Sequence, residues 1–307
     1  MGNVGGDEKT FCLGAHLNDK KNTQDDKSAI SNMAGLIPSD SILVIDSGVG
    51  GLSVCQSILA QQPSLQIIYF ADSAYFPYGL LPEAELSARL KSIISSMLAM
   101  YQPKLVVLAC NTVSTLMLPE LRALYEIPFV GVVPAIKPAA LMSKTKRIAL
   151  LATAATISRA YTDQLIHDYA QACEVLRIGS NELVVEAERL LNDGSVNKQV
   201  IDQILKPLRL SSELSSVDTV VLGCTHFPLL KEYLSESLPG VNWIDSGEAI
   251  ANRVTHLLAL SSKDQSDLGL ISDKTHQLYF SKTNNHKTEF STALQGLGFE
   301  SFELHYL

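Results

Sequence analysis

Short apolar runs alternate with amphipathic stretches from Ser41 to the end of the chain. Runs of this length are typical of buried strands, and the stretches between them have the apolar spacing of helices. The alternation predicts an α/β fold in which mainly parallel sheets are flanked by helices. The predicted strands are residues 42–46, 66–71, 105–109, 129–132, 147–152, 174–178, 219–222, 241–245 and 276–280.

The clearest helix is predicted after Pro82. Apolar residues recur there at intervals that place them on one face of a helix, so we expect that face to lie in the core. These residues are Leu86, Leu90, Ile93, Ile94 and Met97.

The start of the chain has a different composition. Residues 18–27 read NDKKNTQDDK, in which six of ten residues are charged and none is apolar. Such a segment buries too little apolar surface to offset the entropy lost on ordering, so we predict a disordered leader over residues 1–40. Residues 1–32, which precede Met33, are compatible with a tag, an upstream start or a regulatory extension.

Length, charge and cysteine content exclude several classes of protein. A chain of 307 residues predicts two domains. The 24 Lys and Arg residues against 32 Asp and Glu residues argue against a nucleic-acid-binding surface, and no apolar run approaches the roughly 20 residues of a membrane span. Five cysteines without a secretory leader argue against a disulfide framework, so each thiol is a buried hydrophobe, a metal ligand or a reactive group.

An internal repeat singles out two of these cysteines. Residues 106–112 (VVLACNT) and 220–226 (VVLGCTH) share an apolar strand, a small residue, a cysteine and a polar pair. Open parallel sheets bind ligands at the carboxyl ends of their strands. The repeat therefore predicts two similar halves whose thiols, Cys110 and Cys224, face one cleft.

A cysteine between a strand and a helix lies near unpaired backbone N–H groups, which favour the thiolate. We therefore expect Cys110 and Cys224 to be activated. The alternative is that a small buried residue simply suits such a junction, but the repetition with polar neighbours favours function. Cys55 and Cys173 are interpreted as packing residues.

Other chemistries fit the sequence less well. Residues 46–53 (DSGVGGLS) are similar to a dinucleotide-binding loop, but Ser53 stands at the third glycine position and Asp46 would oppose a phosphate. Cys224 with His226 supplies only two of the three or four ligands that zinc needs. The Gly-x-Ser-x-Gly turn of serine hydrolases does not occur.

Seven short strings carry a resemblance to a known family. They are VIDSGVGGLSV, FPYG, VVLACNT, GVVPAIKPA, LLAT followed by Thr156, VVLGCTHFPLL and IDSGEAIA. From about Ile42 to its end the chain resembles the glutamate racemases of the cofactor-independent aspartate/glutamate racemase superfamily, and the proteobacterial subgroup above all. One departure is Leu80-Leu81, which follows FPYG where the family commonly has a charged pair and suggests a more apolar cleft rim.

The resemblance implies a fold and a domain organisation. It implies two pseudo-symmetric α/β domains with the active site in the cleft between them. The first domain would comprise residues 41–133 plus 245–307, and the second would comprise residues 134–244.

The resemblance also implies a reaction. Glutamate would be interconverted between its L and D forms without metal or organic cofactor, to supply D-glutamate for peptidoglycan in a bacterial cytoplasm. Racemisation needs an acid-base group on each face of the α-carbon. By resemblance Cys224 acts on L-glutamate and Cys110 on D-glutamate.

Further residues are carried over by the same resemblance. Asp46, His226 and Glu186 would orient protons or adjust the pKa values of the two thiols. A solvated position on a helix face explains Glu186 equally well. The implied substrate-binding residues are Asp46, Ser47, Pro77, Tyr78, Gly79, Asn111, Thr112, Thr153, Thr156, Thr225 and His226.

The implied partners are L- and D-glutamate, with activation by UDP-N-acetylmuramoyl-L-alanine as a hypothesis taken from proteobacterial relatives. We expect neither nucleic acid nor membrane as a partner, and monomer and homodimer both stay open. Two rival functions also stay open, namely racemisation of another amino acid such as aspartate, and a regulatory or gyrase-binding role.

Overall fold

The computed structural model describes residues 41–209, 216–261, 275–282 and 288–306. The predicted disordered leader lies outside these residues.

The first sheet has six parallel strands in the order β10-β9-β2-β1-β3-β4. Its central strand reads SILVID and is buried at all six positions, as expected for a parallel sheet covered on both faces. The strands are β1 (Ser41–Asp46), β2 (Gln66–Ala71), β3 (Val106–Leu108), β4 (Phe129–Gly131), β9 (His276–Phe280) and β10 (Phe302–Tyr306).

The second sheet has four parallel strands in the order β6-β5-β7-β8. They are β5 (Arg147–Ala152), β6 (Glu174–Gly179), β7 (Thr219–Leu222) and β8 (Asn242–Ile244). The chain thus builds most of the first sheet, then the second, and returns to complete the first. Two parallel sheets flanked by helices confirm the predicted fold class, and the domain boundaries derived from the resemblance stay a prediction.

Helices connect the strands and cover both sheets. They are α1 (Leu52–Gln61), α2 (Glu83–Tyr101), α3 (Asn111–Leu124), α4 (Ile136–Met142), α5 (Ala154–Ile157), α6 (Ala160–Tyr169), α7 (Glu182–Asp193), α8 (Lys198–Arg209), α9 (Lys231–Ser237), α10 (Gly247–Ser261) and α11 (Thr288–Gly296). All five apolar residues predicted to face the core from the helix after Pro82 are buried in α2. None of the helices in the described ranges is long and apolar enough to cross a membrane.

One strand was not predicted. Strand β10 reads FELHY, and its residues are exposed or only partly buried because it lies at the edge of the first sheet. Charged Glu303 and polar His305 interrupt the apolar run, so the sequence lacks the signal of a buried strand.

The cysteines predicted to be packing residues lie in or against the core. Cys55 is completely buried in the apolar core of the first sheet, and Cys173 packs against a core cluster of the second.

The sheets are joined where the chain crosses between them. The crossings follow β4 and β8, and the hydroxyl of Ser246 donates a 2.5 Å hydrogen bond to the carbonyl of Val133. Nearer the carboxyl ends of the strands, the Ser53 hydroxyl of α1 donates to the Thr225 carbonyl at 2.7 Å. These contacts bring the ends of β1 and β3 towards those of β5 and β7.

Candidate active site

Cys110 occupies the position between β3 and α3. It is 9% exposed, and the backbone N–H groups of Thr112 and Val113 point towards its sulfur. Burial, followed by the nearby Asp46 carboxylate, raises the pKa of the Cys110 thiol well above its usual value despite these N–H groups. The expectation that the helix N-terminus lowers the pKa of Cys110 is therefore wrong, since desolvation outweighs the helix dipole.

Cys224 occupies the equivalent position after β7 and is 8% exposed. Its sulfur lies 3.8 Å from Nδ1 of His226. His226 is itself almost completely buried, so this thiol and imidazole form a close pair inside the protein.

His226 has a second partner on the far side of its ring. Its Nε2 lies 3.0 Å from Oε1 of Glu188, and the same carboxylate oxygen accepts a 2.8 Å hydrogen bond from the Val49 backbone N–H. Burial lowers the pKa of His226, but the hydrogen bonds with Cys224 and Glu188 outweigh burial and raise it well above its usual value. The imidazole is therefore held in place and favours its protonated form.

Asp46 ends β1 and is completely buried. Its Oδ2 accepts a 2.8 Å hydrogen bond from the Gly51 backbone N–H, whereas no group of the described residues donates to Oδ1. Burial raises the pKa of this carboxyl, and the charge of His226 partly offsets that shift. The Oδ1 of Asn111 is a second buried acceptor to which no described group donates. The Asn111 oxygen therefore suits a ligand with an N–H donor.

A small cavity of about 30 Å³ lies between the two thiols. It contains every sequence-predicted site residue except Asp46 and Glu186, and it adds Val184 of α7. The lining residues are Ser47, Pro77, Tyr78, Gly79, Cys110, Asn111, Thr112, Thr153, Thr156, Val184, Cys224, Thr225 and His226. The structure thus gathers residues from both halves of the repeat around one space.

The Tyr78 segment is fixed to the first sheet by a buried carboxylate. Asp72 is completely buried, accepts a 2.9 Å hydrogen bond from the Tyr78 hydroxyl, and forms two hydrogen bonds with Arg89 at 2.8 and 3.0 Å. The Ser281 hydroxyl donates a further bond of 2.6 Å. Asp72, Arg89 and Ser281 therefore hold one wall of the cavity without lining it.

The opposite wall begins at the end of β5. Thr153 precedes α5, and its hydroxyl oxygen accepts the backbone N–H of Thr156 at 3.3 Å, as a helix cap does. The two hydroxyl groups also lie 3.0 Å apart. Capping thus orients both threonines where β5 ends.

Glu186 does not reach the cavity. Its carboxylate accepts a 2.8 Å hydrogen bond from the Asn197 backbone N–H and pairs with Arg189. Glu188, two residues later on α7, contacts His226 instead. Val184 and Glu188 are one helical turn apart and share a face, but the sequence does not show that this face of α7 lies against His226.

Among the described residues, no group of three or more His, Cys, Asp or Glu side chains could hold a metal ion. A much larger cleft of about 1030 Å³ lies beside α7, α9 and α11. Its lining includes Leu190, Leu229 and Leu297 but neither Cys110 nor Cys224. Volume alone therefore does not locate the chemistry in this protein.

Several known proteins are similar to most of this chain. The sequence profile of the Asp/Glu/hydantoin racemase family matches residues 42–254. Glutamate racemase of Vibrio campbellii is 42% identical over 267 residues, which cover 87% of this chain and 96% of the relative. Glutamate racemase of Shewanella denitrificans is 50% identical over 221 residues, which cover 72% of this chain and 78% of the relative.

A solved structure is also similar. Escherichia coli glutamate racemase, crystallised with L-glutamate and the activator UDP-MurNAc-Ala, superposes with a TM-score of 0.79 and 41% identity. The match covers 88% of this chain and 98% of that one.

Proposed function

This chain belongs to the Asp/Glu/hydantoin racemase family and is an amino-acid racemase, and from this premise we propose that it interconverts L- and D-glutamate through Cys110 and Cys224. The observation that carries the proposal is the pair of buried thiols, one from each half of the repeat, on one small cavity.

The cavity offers donors and acceptors that suit glutamate. The unpaired Oδ1 of Asn111, which lines the cavity, suits the substrate ammonium. None of the described lining residues is a lysine or arginine, so the two carboxylates would rely on hydroxyl and backbone N–H donors. The hydroxyl donors are those of Ser47, Thr112, Thr153, Thr156 and Thr225.

The two thiols would take different parts in the reaction. Because burial and Asp46 raise the pKa of Cys110, that residue rests as the thiol, which is the acid of the reaction. A protonated His226 lies 3.8 Å from the Cys224 sulfur and supplies a counter-charge for a thiolate. Cys224 then removes the α-proton of L-glutamate, and Cys110 protonates the opposite face.

Asp46 and His226 would support this exchange as neighbours of the thiols, and Glu188 would take the supporting part that the resemblance assigned to Glu186.

We further propose that the reaction needs neither metal nor organic cofactor and supplies D-glutamate for peptidoglycan, and hence cell shape, in a bacterial cytoplasm. The domain boundaries at 133/134 and 244/245 belong to the same proposal.

Activation by UDP-N-acetylmuramoyl-L-alanine is a separate part of the proposal. It is supported by the similarity to the Escherichia coli enzyme that was crystallised with this activator. Racemisation rates with and without the nucleotide test it, and equal rates at saturating nucleotide would reject it.

Circular dichroism of L-glutamate incubated with the purified protein tests the main proposal. We expect the ellipticity to decay towards zero. Replacing Cys110 or Cys224 with alanine should lower kcat by the ~10²- to 10⁴-fold typical of losing a general acid or base. Cys173→Ala is the matched control, because this thiol lies outside the cavity.

Two outcomes would reject the proposal. Near-normal racemisation by either alanine variant would reject the two-thiol mechanism. A higher kcat/KM for aspartate than for glutamate would reject glutamate as the substrate.

A further inference from the structure

The cavity between the thiols has a mouth where its two walls meet near the surface. Gly79 lines the cavity from the side of the first sheet, and the next residue, Leu80, is exposed. Thr156 of α5 lines the cavity from the side of the second sheet. A methyl carbon at Gly79 would lie 3.4 Å from Cβ of Ala155, so little more than a methyl group separates the two walls there.

An ion pair joins the two walls beside this contact. Nη1 of Arg159, which lies between α5 and α6, donates a 3.0 Å hydrogen bond to Oε1 of Glu83, the first residue of α2. The Arg159 side chain is 20% exposed and that of Glu83 is 66% exposed, so the pair lies at the surface. The buried Nε of Arg159 donates to none of the described residues. A single contact of this kind is weaker than the two parallel bonds that a guanidinium can form with a carboxylate.

The chain crossings lie on the other side of the cavity. A space of about 10 Å³ is lined by Val132 and Ser246, which lie at the crossings, and also by Asn111 and Cys224, which line the cavity between the thiols. Gly79 lines only the cavity between the thiols. The two walls are thus joined covalently on one side of the cavity and by the ion pair on the other.

Glutamate needs the two walls to separate. The cavity of about 30 Å³ holds roughly one water molecule, which is far less than glutamate occupies. Cys110 and Cys224 are both buried on this cavity. Because the crossings hold one side together, the walls can part only on the side of Gly79, where the ion pair lies.

We propose that Glu83 and Arg159 form a latch that holds the mouth of the cavity closed, and that the opening of this latch gives glutamate access to the two thiols. This inference rests on the proposed function only in taking glutamate as the molecule that enters. An ion pair this exposed shifts an equilibrium by about two- to fivefold, so the latch favours the closed state without locking it. Salt screens such a pair, so the fraction of open molecules rises with ionic strength.

Alkylation of the thiols by iodoacetamide measures the open fraction without any turnover. When opening and closing are faster than alkylation, the alkylation rate is proportional to the open fraction. Glu83→Gln should raise the alkylation rates of both Cys110 and Cys224 by about two- to fivefold at low salt, as followed by mass spectrometry of the peptides. At about 1 M NaCl, where the screening length is about 3 Å, the unsubstituted protein should alkylate nearly as fast as the variant.

Three controls isolate the latch. Glu174→Gln breaks an ion pair with Arg147 that has a similar length of 2.9 Å and similar exposures of 61% and 20%, but that lies within the second sheet. Glu85→Gln removes a charge from the same first turn of α2. Neither variant should accelerate alkylation of the two cavity thiols. Cys55 lies in the core of the first sheet and reports wider unfolding, so its alkylation should stay equally slow in every variant.

Exchange of the two charges tests the pair itself. Glu83→Arg or Arg159→Glu alone should alkylate at least as fast as Glu83→Gln, because like charges then face each other across the mouth. Both substitutions in one chain rebuild an ion pair and should restore part of the slow alkylation. A role of Glu83 confined to stabilising α2 would not predict this rescue.

The outcomes separate the latch from the proposed function. Equal alkylation rates in the unsubstituted protein and Glu83→Gln, an equal acceleration in Glu174→Gln, or no rescue by charge exchange would overturn the latch. Absence of racemisation and of protection by glutamate in the unsubstituted protein would instead refute the proposed function, while the alkylation rates without glutamate still decide on the latch. If Glu83→Gln does not fold, as judged by thermal unfolding, the salt dependence of the unsubstituted protein and the charge exchange decide.

Discussion

Gly50 is in close contact with His226, and Gly50→Ala tests whether the ring position matters. A methyl carbon at residue 50 would lie 2.2 Å from Nδ1, 2.6 Å from Cε1 and 2.7 Å from Cγ of His226. Ordinary van der Waals contact begins near 3.4 Å, so the ring would have to move by more than 1 Å.

The ring has little freedom to move. It is 3% exposed and is held between the Cys224 sulfur and the Glu188 carboxylate. Overpacking of this kind costs about 1–3 kcal/mol of folding stability. A catalytic group displaced by about 1 Å lowers the rate by about 10²-fold. We therefore expect both effects together in Gly50→Ala.

The assay combines urea unfolding with circular dichroism of racemisation in both directions. Gly296→Ala is the control, because nothing lies within 4 Å of a methyl group at that position. This variant should keep its activity and unfold at the same or a slightly higher urea concentration, since alanine favours helix over glycine by roughly 0.5–1 kcal/mol. Unchanged kcat/KM and unchanged stability in Gly50→Ala would refute the argument that His226 is fixed where the reaction needs it.

Two further predictions concern positions outside the cavity. Burial lowers the pKa of His276 from 6.5 to about 4, and its Nδ1 accepts a hydrogen bond from the Ile67 backbone N–H at 3.1 Å. The imidazole of the unfolded chain is therefore protonated at a higher pH than that of the folded chain. Urea unfolding should show that the free energy of unfolding falls by up to about 3 kcal/mol between pH 6.5 and pH 4, and His276→Gln should make this fall smaller. The same pH dependence in the variant and in the unsubstituted protein would contradict the prediction. Arg89→Met removes two hydrogen bonds from buried Asp72 and should raise KM more than it lowers kcat, because Tyr78 loosens; an unchanged KM would count against this.

Much of the fold could be predicted because its strands are buried and apolar. Strands β2, β5, β7 and β9 have the predicted bounds, since parallel strands covered on both faces read as continuous apolar runs. Strand β10 could not be predicted in this way because an edge strand tolerates charge on its exposed side. Its place in the sheet depends on its pairing with β9, which no local pattern encodes.

The candidate site could likewise be predicted from the sequence only in part. Cys110 and Cys224 could be identified because the repeat places each thiol directly after a strand. The raised pKa of Cys110 could not be predicted, because it depends on Asp46 from another strand and on burial in the finished fold. Glu188 was missed for the same reason. Two glutamates on one helix look alike in sequence until the direction of the helix relative to His226 is fixed.

The small volume between the thiols has a consequence for inhibitors. About 30 Å³ holds roughly one water molecule, which is far less than glutamate or any mimic of it needs. A competitive ligand must therefore capture a more open conformation, and its apparent affinity is reduced by the fraction of molecules that are open. Association should be slower than the ~10⁵–10⁷ M⁻¹s⁻¹ usual for preformed surfaces, and escape should be slow once the walls close again. Long residence time, rather than fast capture, is then the property by which compounds aimed at this site should be ranked.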